Sequence, residues 1–413
     1  MRLIPLLRQF NTLFTNPSFW RQLLLWLLFV LLIGLLAGSA SALFLMSLEA
    51  VTSARNSQRW LIYLLPLGGW LIAWSYDRYG RKVAQGNDLL ILTYQQPAHK
   101  IPFRMAPMVL ISTLLTHLLG GSAGREGTAV QMGGAMADSL RHWLKMPRIT
   151  QRVVLLCGIA AGFASVFGTP WAGAVFAVEV VRQRTWPRWA VLPIIAAAWI
   201  AHWICLAWGA QHSHYNLGNL PPLNAQNVVY VGLSGLAFGA AAWIFIRLGR
   251  WQHKQYKAWL PNLRWRTLVG GLVLALIYGF TQNDRYLGLG LPVIASAFEG
   301  QILPYDFILK ILFTTFTLAV GFKGGEVTPL FFIGASLGAL LASLLPLPVG
   351  LLAGMGFVAV FAGATNCPFT CLFMGIELFG PAAAPFLVVA CGMAYFFSGK
   401  ASIYSLPLNQ NKA

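Results

Sequence analysis

Acidic residues are scarce in this chain. Asp and Glu together number 11 among 413 residues, and charged residues of both signs make up 10% of the total. An ordinary soluble domain carries roughly 25%, so a soluble globular protein of this length is excluded. Cysteine is also sparse: Cys157, Cys205, Cys367, Cys371 and Cys391 are odd in number and all lie in apolar surroundings, which is not the pattern of a disulfide framework. Cys367 and Cys371 have the spacing of half a zinc site, but no second pair answers them, and all five read as packing residues. His212 and His214 stand two apart without a carboxylate or third ligand nearby, so no metal site is expected. No Ser/His pair, paired carboxylates or His/Glu cluster of the kind an intramembrane enzyme needs accompanies the helix breaks described below. Neither a catalytic residue nor a cofactor is expected.

What the chain has instead is apolar. Hydrophobic residues make up 57% of it, and stretches of the roughly 20 residues needed to cross a bilayer recur from end to end. The 29 Lys plus Arg give a formal charge of +18, which in a soluble protein would point to nucleic acid. Here the basic residues sit in short clusters between apolar segments, as at Arg78, Arg81 and Lys82 and at Arg182, Arg184 and Arg188, where they orient the chain in a membrane. Six fall between Arg247 and Arg266 and none between Ala210 and Asn227, so the first stretch is expected on the cytoplasmic side and the second outside. Arg2, Arg8 and Arg21 precede a first apolar run from Leu23 to Met46. That run is longer than the roughly 7–15 residues of a signal-peptide core and continues past Ala40-Ser41-Ala42, so it reads as a retained membrane segment.

A Gly-x-Glu-x-Thr segment occurs twice, at Gly124-Arg125-Glu126-Gly127-Thr128 and at Gly324-Gly325-Glu326-Val327-Thr328, 200 positions apart. Gly134 and Gly334, Ala135 and Ala335, and Leu140 and Leu340 extend the match. Gly158, Ala161, Pro170 and Glu179 recur as Gly356, Ala359, Pro368 and Glu377 at an offset of 198. The chain therefore reads as one membrane transport domain of two repeats, about 22–210 and 228–404, joined by the uncharged segment Ala210 to Asn227. Glycine and proline interrupt the apolar runs at matching places, and broken helices persist in a bilayer only where they are buried in protein or line a polar path. Paired repeats with interrupted helices are the pattern of transporters that aim half-helix N-termini at an anion near the midplane.

Glu126 is the residue to single out, because an ionisable group inside an apolar stretch is costly. At a helix start among glycines, its carboxylate can occupy an anion site itself and leave when protonated, acting as gate and proton carrier. The plainer alternative is a first-turn Glu that complements the helix dipole. Glu326 takes the equivalent place in the second half, and Pro329, suited to a first turn, would leave the N–H groups of Glu326 and Val327 open to an anion. Glu179 and Glu377, near the ends of runs that begin at proline, read as packing or capping residues. Gly86-Asn87-Asp88-Leu89-Leu90 opens another apolar stretch with an amide and a carboxylate at a helix start, explicable as an N-cap alone. Tyr404 reads either as a hydroxyl donor to something buried or as an interfacial tyrosine.

These residues resemble the CLC chloride channels and proton-coupled anion antiporters over nearly the whole chain. Gly124 to Thr128 is similar to that family's GREGP motif and Gly324 to Pro329 to its GGxFxP motif. Gly86 to Leu90 falls where GSGIP is expected, and Tyr404 fits the C-terminal tyrosine that contacts the central anion. The resemblance implies an all-α polytopic membrane protein, a homodimer with one pore per subunit, built from two inverted repeats of broken and tilted helices, with Glu126 as gating and proton-coupling residue. It places the anion path at Asn87, Gly124, Arg125, Gly127, Thr128, Glu326, Val327, Thr328 and Tyr404.

Three departures resemble the fluoride-exporting branch of the family: Thr128 for the proline of GREGP, Asn87 for the anion-binding serine, and Val180 where chloride antiporters carry an inner proton-transfer glutamate. Asp88 departs from the Asn expected there. Fluoride is small and strongly hydrated, and an amide such as Asn87 offers more N–H donors than a hydroxyl can. The expectation is a proton-coupled fluoride exporter of the inner membrane, with fluoride and protons as its partners. A chloride/proton antiporter or voltage-gated-type chloride channel of the same family is the alternative. The chain stops a few residues after Tyr404, so no cytoplasmic nucleotide-binding module is expected.

Overall fold

A computed structural model describes residues 17–96, 100–181, 188–213 and 215–404. Arg2, Arg8, Arg182, Arg184 and His214, singled out above, lie outside them. Among the described residues the named secondary-structure elements are all helices, with eight α-helices on each side of the expected linker. The first eight are α1 (Pro17–Ser57), α2 (Leu65–Tyr79), α3 (Asn87–Gln95), α4 (Met105–Leu118), α5 (Glu126–Trp143), α6 (Gln151–Phe167), α7 (Pro170–Val180) and α8 (Val191–Ala207). The second eight are α9 (Ala225–Trp259), α10 (Leu263–Thr281), α11 (Leu291–Phe298), α12 (Asp306–Ala319), α13 (Val327–Leu341), α14 (Val349–Thr365), α15 (Pro368–Phe379) and α16 (Ala384–Ser398). Among the described residues four helical stretches are long and apolar enough to cross a membrane: Trp20–Ser57, Ala225–Trp259, Leu263–Thr281 and Pro381–Ser398. The others are mostly shorter, as the interrupted apolar runs predict.

The two sets of eight repeat one another in local chemistry. α6 stops at Gly168, whose φ of +77° is a left-handed turn that glycine adopts freely, and Pro170 restarts the chain as α7. α14 stops at Asn366, also left-handed at φ +59°, and Pro368 restarts it as α15. Backbones approach closely where the repeat places glycine. A Cβ on Gly133 would overlap the carbonyl of Gly158 between α5 and α6, and one on Gly334 would overlap that of Gly356 between α13 and α14. Small residues allow such contacts in a membrane, where packing must replace hydrophobic driving force.

Glu179 and Glu377 join the two sets. Glu179, near the end of α7, accepts hydrogen bonds at the start of α15 from Phe369 N (3.1 Å), Thr370 N (2.8 Å) and Thr370 Oγ1 (2.7 Å). Glu377, near the end of α15, accepts from Trp171 N (2.9 Å) and Ala172 N (2.8 Å) at the start of α7. Each short helix thus carries the acid that satisfies the other's unpaired N–H groups. The capping expected of these residues is present, but it acts across the repeats.

A third acid anchors the second set. Asp306, fully buried at the start of α12, receives Arg285 Nε and Nη2 (2.9 and 2.6 Å), Tyr286 OH (2.8 Å) and Leu303 N (2.8 Å). The five cysteines are free thiols, all buried.

Candidate functional site

α5 and α13 both begin in mid-fold, each after a glycine-bearing loop, and the two loops meet. Gly124 N donates to Gly325 O (2.5 Å) and Gly325 N to Gly124 O (2.7 Å), forming an isolated antiparallel bridge among the described residues. Side chains are excluded here. A Cβ on Gly124 would stand 2.9 Å from Pro329 Cδ and from Glu126 Oε2, and one on Gly325 would stand 2.9 Å from Gly127 N. Two equivalent segments that pair antiparallel are related by a local two-fold axis, as two copies of one motif would be.

The bridge corrects the alignment of the two motifs. The sequence match at offset 200 puts Glu326 opposite Glu126, but the bridge pairs Gly124 with Gly325 at offset 201, and α5 begins at Glu126 whereas α13 begins at Val327. The glycine contacts agree, since Gly133 and Gly334 play the same part. Val327 is therefore the counterpart of Glu126. Glu326 stands one residue before α13.

Glu126 is 1% exposed. Its Oε2 accepts from Thr328 N (3.1 Å) and Arg125 N (3.0 Å), and its Oε1 accepts a short hydrogen bond from Thr328 Oγ1. Arg125 Nε lies 3.7 Å from Oε1, an ion pair too long for a hydrogen bond. The carboxylate of one half thus occupies the donors at the helix start of the other, where an anion would bind. The N–H it takes from α13 is that of Thr328, one residue beyond the pair the sequence singled out. A small cavity opens beside it, lined in part by Arg125, Phe167, Tyr215, Phe331 and Phe357. Phe331 and Phe357 stack there with ring centroids 3.9 Å apart.

The other expected residues fall into two groups. Asn87 is the first residue of α3, and its Nδ2 lies 3.1 Å from where a Cβ on Gly127 would be. Asn87, Gly124, Arg125, Glu126, Gly127, Val327 and Thr328 are thereby brought to one place. Thr128 is buried, but its hydroxyl is engaged with Thr113 Oγ1 of α4 (2.7 Å) and makes no hydrogen bond to Glu126. Tyr404 is buried against Phe176 of α7, with ring centroids 6.4 Å apart. The segment before it is fixed by Ile403 N to Ala364 O (2.9 Å) and Arg250 Nη2 to Ser402 O (2.5 Å). His212 pairs with Ser165 O (3.0 Å), and no group of three metal-ligating side chains occurs among the described residues.

Sequence reasoning missed the aromatic lining and two polar residues. Lys323 reaches Ala84 O (3.3 Å) and lies over the ring of Tyr76, tying the loop before α13 to the turn before α3. Gln131, one helical turn after Gly127, sits beside Gly86. Its i+4 spacing from Gly127 was the available signal.

Residues 68–399 match the voltage gated chloride channel family. A chloride/fluoride channel protein of Pseudomonas syringae pv. tomato is 46% identical over 92% of this chain and 85% of its own length. The crystal structure of a CLC-type fluoride/proton antiporter superposes with a TM-score of 0.90 at 37% identity, covering 95% of this chain and 98% of that one. A slow cyanobacterial Cl-/H+ antiporter shares the fold, with a TM-score of 0.77 at 21% identity over 91% of this chain and 96% of its own.

Proposed function

This chain belongs to the voltage gated chloride channel family, and from that premise we propose that it is a fluoride/proton antiporter that uses an inward proton gradient to expel fluoride. The observation that carries the reading is the seat of Glu126. Its carboxylate takes the N–H and hydroxyl of Thr328 and the N–H of Arg125, donors that suit a small, hard anion equally well. Protonation weakens a carboxylate's hold on such donors, so a proton frees the seat for an anion, and an arriving anion returns the side chain to where it can take a proton. Relatives named for fluoride support the choice of anion, as do Asn87 and Val180 in the positions described above.

Two further proposals concern its setting. We place it in the inner membrane, as a homodimer. α7 and α15, with 11 and 12 residues, are far shorter than the roughly 20 needed to span lipid. Their first turns, capped by Glu377 and Glu179 of the other helix, carry the exposed Trp171 and Phe369. Cover by a second copy would spare those polar ends from lipid. A particle mass in detergent of twice 45.3 kDa, with micelle subtracted, is the expected result, and a single-copy mass would refute it.

The function is tested in liposomes holding the purified protein, with fluoride, chloride and proton movements recorded in the same vesicles. Fluoride efflux with proportionate proton uptake and little chloride flux is expected. Chloride flux of comparable size would transfer the assignment to a chloride/proton antiporter, and anion flux without protons to a channel.

A further inference from the structure

Beneath the seat of Glu126 lie two carboxamides without protein partners. Asn87 Nδ2, at the start of α3, stands 3.1 Å from where a Cβ on Gly127 would be, and Gln131 Nε2, on α5, stands 3.2 Å from where a Cβ on Gly86 would be. Gln131 Nε2 is also 3.9 Å from the corresponding point at Gly127. Each amide fills space left by a glycine on the other's segment. Gly86 is itself fixed as glycine by its φ of +59°.

Among the described residues neither side chain makes a hydrogen bond. Gln131 is only 9% exposed, and at Asn87 the buried atom without a partner is the acceptor Oδ1. Buried polar groups are nearly always satisfied, so two neighbouring amides without protein partners mark a place where something else supplies them. The chemistry of that occupant follows from the donors. Two carboxamides offer several N–H groups and no formal charge, and the first turns of α3 and α5 bring partial positive charge to the same place. A small anion with concentrated charge fits those N–H groups, while Asn87 Oδ1, an acceptor, turns to some other donor such as water.

We propose that Gln131 is a specificity-determining residue, which together with Asn87 donates N–H groups to a fluoride ion lodged between Gly86 and Gly127 before it reaches the seat of Glu126. The identity of the ion rests on the fluoride reading above; the amide site does not. Paired amides favour fluoride over chloride because the smaller ion must exchange a tighter water shell and needs more donors at short range.

The test uses the full chain in proteoliposomes, comparing wild type with Gln131→Met, which keeps length and removes the N–H groups. The fluoride concentration for half-maximal efflux should rise about tenfold, as expected for one lost hydrogen bond to a charged group. The maximal rate should change by less than about threefold, and chloride flux should not fall. Asn87→Leu should act similarly, and the double variant should fall short of the product of the single effects, since the two amides share one ion. An unshifted half-saturation in Gln131→Met would overturn the proposal and leave the amide to water. Should Gln131→Met not purify as a single species, Gln131→Glu decides: a carboxylate of the same size there should abolish fluoride binding by calorimetry, and wild-type binding would overturn the site. If the wild-type protein carries chloride alone, the fluoride reading fails. The amide site is then tested with chloride, where the same shift supports it and no shift overturns it.

Discussion

Glu126→Gln separates the two halves of the proposed cycle, because glutamine keeps the shape of the side chain and removes both its charge and its proton site. Three hydrogen bonds reach the carboxylate, from Thr328 N, Thr328 Oγ1 and Arg125 N. Hydrogen bonds to a charged group contribute about 1.5–3 kcal/mol and neutral ones about 0.5–1.5, so each bond loses about 1 kcal/mol and the three together about 3. Since Oε2 takes two N–H donors, an amide NH₂ turned to that side would also face like groups. An anion competing for the same donors should therefore displace glutamine about 100-fold more easily than glutamate. Fluoride binding measured by calorimetry should tighten by that order. In proteoliposomes, proton uptake during fluoride movement should disappear, whatever fluoride flux remains. A Glu126→Gln variant that still moved protons with fluoride in the wild-type ratio would refute the assignment of the proton to this residue. Unchanged fluoride affinity would refute the idea that side chain and ion compete for one seat.

Three other outcomes follow from the same structure. Thr328→Val removes a hydroxyl that Glu126 and an ion in its seat would both use, so fluoride affinity should change by less than about threefold, and a tenfold weakening would mean that the hydroxyl serves the ion more than the carboxylate. Arg285→Ala leaves Asp306 buried without its bidentate partner, which should cost about 3–5 kcal/mol and lower the melting temperature in detergent by several degrees; an unchanged melting curve would show the acid to be solvated. Gly334→Ala drives a methyl group into the Gly356 carbonyl and should destabilise α13 against α14 by about 1–3 kcal/mol, seen as loss of monodisperse protein on gel filtration, while Gly392→Ala, where a Cβ would meet nothing within 4 Å, should behave as wild type.

The repeats were legible in the sequence because glycine, proline and glutamate mark places where a membrane helix must stop, pack closely or be capped, and these needs recur in each half. Their register was not. Identity of residue type favoured offset 200, whereas the backbone pairing of Gly124 with Gly325 sets 201, and only the latter shows that Val327 answers Glu126. Glu126 stood out by itself as a charge in an apolar run, but its partner Thr328 lies 202 positions away and no local pattern connects them. The same holds for Glu179 and Glu377, expected to pack or cap, whose capped helices lie about 190 and 205 residues distant. Asn87 and Tyr404 had only weak local signals, and their assignment came through family resemblance. Gln131 was overlooked because a lone amide in a helix commonly faces solvent, and nothing local shows that Gly86 of another segment makes room for it.

The reciprocal bond pair between Gly124 and Gly325 limits how access can alternate. Transporters of inverted repeats commonly rock one half against the other around a central site, yet here the halves are stitched by their own backbones at the very point where the site lies. Rocking that parted the two loops would have to break both bonds, between residues that are buried. The centre is therefore a fixed pivot, and the mobile part shrinks to one side chain swinging about its own torsions. Structures trapped with Glu126 in different positions should then superpose almost entirely in their main chain.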